Sequence, residues 1–114
     1  MKINEIVDIL DCKILCGEDR LNEEVKSACA SDLMSDVLAF VKDEAVLITG
    51  LCNPQIVRTC EMMDMRCIVI VRNKKPDHET IELARQKGIV MLSCEIRMFE
   101  AAGRLYEAGL NREV

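Results

Sequence analysis

Three apolar runs of strand length, Ala45-Val46-Leu47-Ile48, Cys67-Ile68-Val69-Ile70-Val71 and Ile89-Val90-Met91-Leu92, dominate the second half of the chain. A strand with one wet face alternates apolar and polar residues. A strand without alternation is covered on both faces, the condition of a parallel sheet between helices. The intervals supply the cover. One stretch opens at Asn53-Pro54 with Ile56, Val57, Cys60 and Met63 at helical spacing, and another follows Pro76 with Ile81, Leu83 and Ala84 inward. Proline suits a first helical turn, where its missing N–H has no partner to lose. A third helix, with Met98, Ala101, Ala102 and Leu105 inward, is predicted to end near Gly109 at a C′ position. Pro54 and Pro76 stand 22 residues apart, as do the strand starts Cys67 and Ile89, so a helix-then-strand unit repeats. Successive units of this kind build a parallel sheet through right-handed crossovers.

The first half is shorter in period. Ile3, Ile6, Val7 and Leu10 predict a helix, and Cys12-Lys13-Ile14-Leu15-Cys16, between Asp11 and Gly17, alternates like a strand. Glu18 to Glu24 is turn-like, and Val25 to Ala30 returns as an extended piece. Ser31 and Asp32 stand where an N-cap belongs, ahead of Leu33, Val37, Leu38 and Val41 at helical spacing. The expectation is one α/β domain, residues 1–114, with a mainly parallel sheet covered by helices.

Composition narrows the partners. The chain has 114 residues, half of them apolar and 31% charged, enough for one sizeable core and too little for two. Its net charge is −5, its longest basic cluster is Lys74-Lys75, and it has one Tyr and two Phe for stacking, which argues against nucleic acid as a partner. No apolar stretch is long enough for a membrane span, and the amino terminus mixes acids among its apolar residues, unlike a signal peptide. A cytoplasmic location follows as the expectation.

Seven cysteines, an odd number scattered among Val, Ile and Leu, read as small buried hydrophobes rather than a disulfide framework. No pair has C-x-x-C spacing and His78 has no second ligand nearby, so neither metal nor cofactor is predicted. Cys52 is the one modest exception, because a helix amino terminus after Thr49-Gly50 could lower its thiol pKa, although a buried hydrophobe is the favoured reading there too.

In parallel α/β sheets, ligands gather beyond the carboxyl ends of the strands, where helix amino termini offer unpaired N–H groups. Thr49 to Asn53, Arg72 to Lys75, Ser93 to Glu95 and Ser31 to Asp36 are predicted to meet there. The candidate ligand-binding residues are Ser31, Asp32, Ser35, Asp36, Thr49, Gly50, Asn53 and Arg72. Each has a plainer role available, as helix cap or solvated turn. Thr49-Gly50 lacks the rest of a P-loop and nothing matches G-x-G-x-x-G, which excludes those phosphate cradles. No Ser/His/acid or Cys/His arrangement is present. Asp32 and Asp36 could serve as general acid and base only within an apolar cleft, so a non-enzyme is expected. The Met-rich stretch Cys60 to Met65 could instead offer an adaptable contact surface.

Leu15-Cys16-Gly17, Ser31 to Asp36, Leu47-Ile48-Thr49-Gly50 and Val69-Ile70-Val71-Arg72 together resemble the DRTGG domain family over nearly the whole chain. The resemblance departs at two places: Leu51-Cys52-Asn53-Pro54 follows Gly50 where an Asp-Arg turn is usual, and Arg72-Asn73-Lys74 stands where Thr-Gly-Gly is usual. It implies a divergent, stand-alone member, similar in fold to the amino-terminal domain of HPr kinase/phosphorylase. It also implies a regulatory role, sensing a small and nucleotide-like ligand or forming a homodimer, as in the phosphotransacetylases and CBS-domain pyrophosphatases that carry such domains. A protein-interaction adaptor in anaerobic redox metabolism is the alternative it suggests.

Overall fold

The computed structural model describes residues 1–40 and 44–111. In chain order the elements are α1 (Ile3–Leu10), β1 (Lys13–Cys16), a 3-10 turn (Glu18–Arg20), β2 (Ser27–Ala30), α2 (Met34–Phe40), β3 (Ala45–Thr49), α3 (Pro54–Met62), β4 (Cys67–Ile70), α4 (His78–Gln86), β5 (Val90–Ser93) and α5 (Met98–Glu107). The sheet runs β1-β5-β4-β3-β2, with β2 to β5 parallel and β1 antiparallel on the β5 edge.

The apolar runs behave as their lack of alternation predicts: β3 and β4 are buried at every position. Side chains leaving the sheet on one side, among them Val46, Ile48, Val69 and Leu92, pack with Ile3, Ile6 and Leu10 of α1 and Ala101 and Leu105 of α5. Those leaving on the other, including Leu47, Ile68, Ile70 and Met91, meet α2, α3 and α4 through Met34, Val37, Ile56, Val57, Cys60 and Ala84. The result is three layers, helix, sheet and helix. Each fully buried Ile or Leu contributes about 1.5–3 kcal/mol by leaving water.

Helices join strands through one recurring device. After α4 the Ile89 N–H donates to the Ala84 carbonyl and Gly88, at φ +69, donates to Arg85; after α3 Met65 donates to Cys60 and Asp64, at φ +54, donates to Glu61. This is the Schellman closure, which satisfies the last carbonyls and sends an apolar residue straight toward the next strand. The same closure around Gly109, φ +113, ends α5 with Leu110 buried.

Two expectations need correction at α2. Ser31 Oγ does accept from the Leu33 N–H, at 3.0 Å, but the Asp32 carboxylate turns away from the helix it precedes. Met34 and Val37 face the core, whereas Leu33 and Leu38 are exposed, because α2 begins at Met34 and its inward stripe is set from there. Val41 lies outside the described residues.

Candidate functional site

The carboxyl ends of β2, β3, β4 and β5 open onto one edge, and because β1 is antiparallel its first residues reach that edge too. The centre is Asp32, in the turn after β2. Its Oδ1 accepts from the Thr49 hydroxyl at 2.9 Å and from the Gly50 N–H at 2.7 Å, both at the end of β3. Its Oδ2 lies 3.7 Å from Arg72 Nη2, beyond the end of β4. The buried Thr49 hydroxyl in turn accepts from the Leu51 N–H at 3.2 Å. One carboxylate therefore ties three successive strand ends together. It remains 44% exposed, and the guanidinium 45%.

The Arg72 guanidinium lies across Gly50, so a Cβ there would require that flexible side chain to shift. Arg72 and Asn73 both sit in the left-handed region, φ +63 and +55, and Lys74 N–H closes the turn onto Val71 O. Positive φ at two central residues makes this a type I′ turn. Asn tolerates that conformation well and Arg does not. The strain is held by N–H donation from Arg72 to Ile96 O and from Asn73 to Cys94 O, each at 2.9 Å, which staples this loop to the one after β5.

Of the predicted site residues, the structure joins Asp32, Thr49, Gly50 and Arg72 directly, with Ser31 adjoining as the donor and acceptor of the Leu33 turn. Asn53 takes its plainer role, capping α3 by accepting from the Gln55 N–H at 3.1 Å. Ser35 and Asp36 are exposed on α2 and do not join the Asp32 cluster, because their turn of the helix faces outward beside the buried Met34 and Val37. His78 is likewise exposed, in the first turn of α4 behind the Asp77 cap. The Cys52 thiol pKa is raised rather than lowered: burial outweighs the nearby Lys74 and Arg72.

Beside this cluster an open cavity of about 390 Å³ is bounded by Asp11, Cys12 and Lys13 at the start of β1, Ser93 to Ile96 after β5, Asn73, and Arg104 of α5. Sequence reasoning placed Ser93 to Glu95 at this edge but missed Cys12, whose position depends on the antiparallel insertion of β1. No group of three or more His, Cys, Asp or Glu among the described residues is arranged to hold a metal.

The model of the DRTGG domain matches residues 5–108. The chain belongs to the DRTGG domain family. The fold of this DRTGG domain is similar to a crystal structure of the CBS and DRTGG domains of the regulatory region of Clostridium perfringens pyrophosphatase, complexed with its activator diadenosine tetraphosphate. Identity is 16% and the TM-score 0.72; the match covers 91% of this chain and 45% of that one, so this DRTGG domain spans less than half of the neighbour's length. At that identity the likeness establishes the shared fold. No match was found among the curated proteins. No helix among the described residues is long and apolar enough to cross a membrane.

Proposed function

We propose that this DRTGG domain is a non-catalytic regulatory module that senses a small, phosphate-bearing, nucleotide-like ligand at the carboxyl edge of its sheet. The observation that carries the reading is the half-exposed Asp32–Arg72 pair. It bridges the ends of β2, β3 and β4, and it keeps an arginine in a left-handed turn where glycine or asparagine would be cheaper. Strained backbone around a polar cluster is typical of binding sites. An incoming phosphate competes with Asp32 for the guanidinium, releasing Arg72 from the loop and so coupling ligand to loop position. The structural neighbour, a regulatory region bound to a dinucleoside polyphosphate, supports this ligand class. Asp32 is engaged by Thr49 and Gly50 while Asp36 points outward on α2, so the two acids share no cleft for acid–base work.

Calorimetric titration with AMP, ADP, ATP and diadenosine tetraphosphate tests the site. Arg72→Gln weakens the ligand roughly tenfold or more, from loss of a charge-assisted contact of about 1.5–3 kcal/mol. Asp32→Asn strengthens it, and Asp36→Asn leaves it unchanged. A ligand that binds the parent and ignores both Arg72→Gln and Asp32→Asn sits elsewhere. Homodimerisation is the second function we propose, favoured by Phe99 and Tyr106, which stand 91% and 65% exposed on one face of α5. Light scattering at micromolar concentration checks it, a monomer throughout being the contrary result.

A further inference from the structure

The cysteines of this domain are not equivalent. Across the antiparallel β1–β5 pair, Lys13 faces Ser93 and Ile14 faces Leu92, so one further step of the register sets Cys12 opposite Cys94. The Cys12 N–H is taken by Val7 O and the Cys94 N–H by Ile70 O, while Cys94 O accepts from Asn73. The facing pair therefore shares no backbone bond. That is the closer kind of antiparallel pairing, with Cα atoms about 4.5 Å apart, inside the range that a disulfide spans. Both side chains belong to the same core face, and both line the open cavity of about 390 Å³ beneath Arg104.

We infer that Cys12 and Cys94 form a redox-active dithiol, a site of thiol–disulfide exchange with small disulfide-bearing molecules entering this cavity.

The electrostatics agree with the geometry. The Cys12 thiol facing Cys94 lowers the Cys94 thiol below its ordinary range against the opposing effect of burial, with help from the Ile96 backbone and Arg104. The same pairing, with burial, pushes Cys12 up. Burial raises each of the other five, Cys60 to about 12. Cys94 is thus the nucleophile and Cys12 the resolving thiol. The Cys94 thiolate attacks one sulfur of an external disulfide; that S–S bond breaks and one thiolate leaves. Cys12 then gives its proton to solvent and attacks the Cys94 sulfur of the mixed disulfide, expelling the second thiolate. Two protein thiols are oxidised, and one external disulfide is reduced to two thiols.

The test uses the whole reduced chain, exposed without oxygen to excess glutathione disulfide, quenched by alkylation in denaturant and mapped by mass spectrometry. The expected result is loss of two of the seven alkylatable thiols, both in one Cys12–Cys94 disulfide with no glutathione retained. Cys12→Ser should stop at a stable glutathione adduct on Cys94, and Cys94→Ser should leave Cys12 free. Because the parent alone reports the pairing, a poorly folded variant does not blunt the test. Seven free thiols after treatment, or a disulfide or adduct that favours any other cysteine, overturns the inference.

Discussion

The two ends of the sheet are built by different means. At the amino end the chain passes from helix to strand through Schellman closures at Asp64 and Gly88, where backbone bonds only to backbone. At the carboxyl end it passes from strand to helix through Asp32, Thr49 and Arg72, whose side chains supply the bonds, with Asp32 and Arg72 staying partly in water. One end stabilises the layers; the other keeps polar groups available at some local cost.

The sharpest way to break that comparison is Gly17, which ends β1 at the amino end. It holds φ +91, and an added Cβ would lie 2.9 Å from the Val90 Cα. Gly17→Ala is expected to cost about 2 kcal/mol or more, from left-handed strain and an overlap with backbone that cannot swing aside. Denaturant unfolding measures it. A cost within experimental error would mean that the amino end is looser than its closures suggest.

Next in size is Asp32→Ala, which leaves the Thr49 hydroxyl and Gly50 N–H without their acceptor in a half-buried turn. The expected cost is about 1–2 kcal/mol, less than a buried core deletion because water can reach the vacated bonds. Arg72→Gly should behave oppositely. It loses an exposed ion pair worth about 0–1 kcal/mol but relieves a left-handed arginine worth about 1–2 kcal/mol. Glycine's extra freedom in the unfolded chain takes back about 0.5–1 kcal/mol. Stability should hold or rise slightly while affinity for a phosphate-bearing ligand falls. A marked loss of stability would instead make Arg72 a structural residue and erase the contrast between the two ends.

How much of this was legible in the sequence follows the same division. The apolar runs at 45–48, 67–71 and 89–92 announced buried parallel strands because burial on both faces leaves no room for polar alternation, and Gly109 announced its helix end. The loops at the carboxyl edge were also legible, since topology alone brings them together. Which side chains meet there was not. Asp32 read as a cap for the next helix, yet it bonds to Thr49 and Gly50, because α2 starts one residue later than a cap at Asp32 requires. Cys12 and Cys94 are still further apart in the chain, and their meeting depends on β1 inserting antiparallel beside β5, which no local pattern in residues 12–16 encodes.

The smallest effect compares two aspartates at the same edge. Asp77 is what a capping acid looks like: its Oδ1 accepts from the Thr80 N–H, three residues on, at 2.8 Å. That backbone bond to the charged carboxylate, aided by His78, holds the Asp77 pKa below the ordinary value of 3.8. A depressed folded pKa gives stability that is fully present above the unfolded value and is lost as pH falls through the folded one. The Asp77 contribution is therefore constant at neutral pH and fades below about pH 4, where unfolded aspartate begins to bind protons. Asp77→Asn keeps an acceptor for Thr80 and removes the titration, so thermal unfolding followed from pH 5 to pH 2 should show a shallower acid loss than the parent, by a small margin because Asp77 is exposed. The same variant should leave ligand affinity unaltered, whereas Asp32→Asn should change it, since Asp32 bonds across 17 and 18 residues to the end of a different strand. If both substitutions alter affinity alike, the edge acts through its overall charge and the Asp32–Arg72 pair has no special part in it.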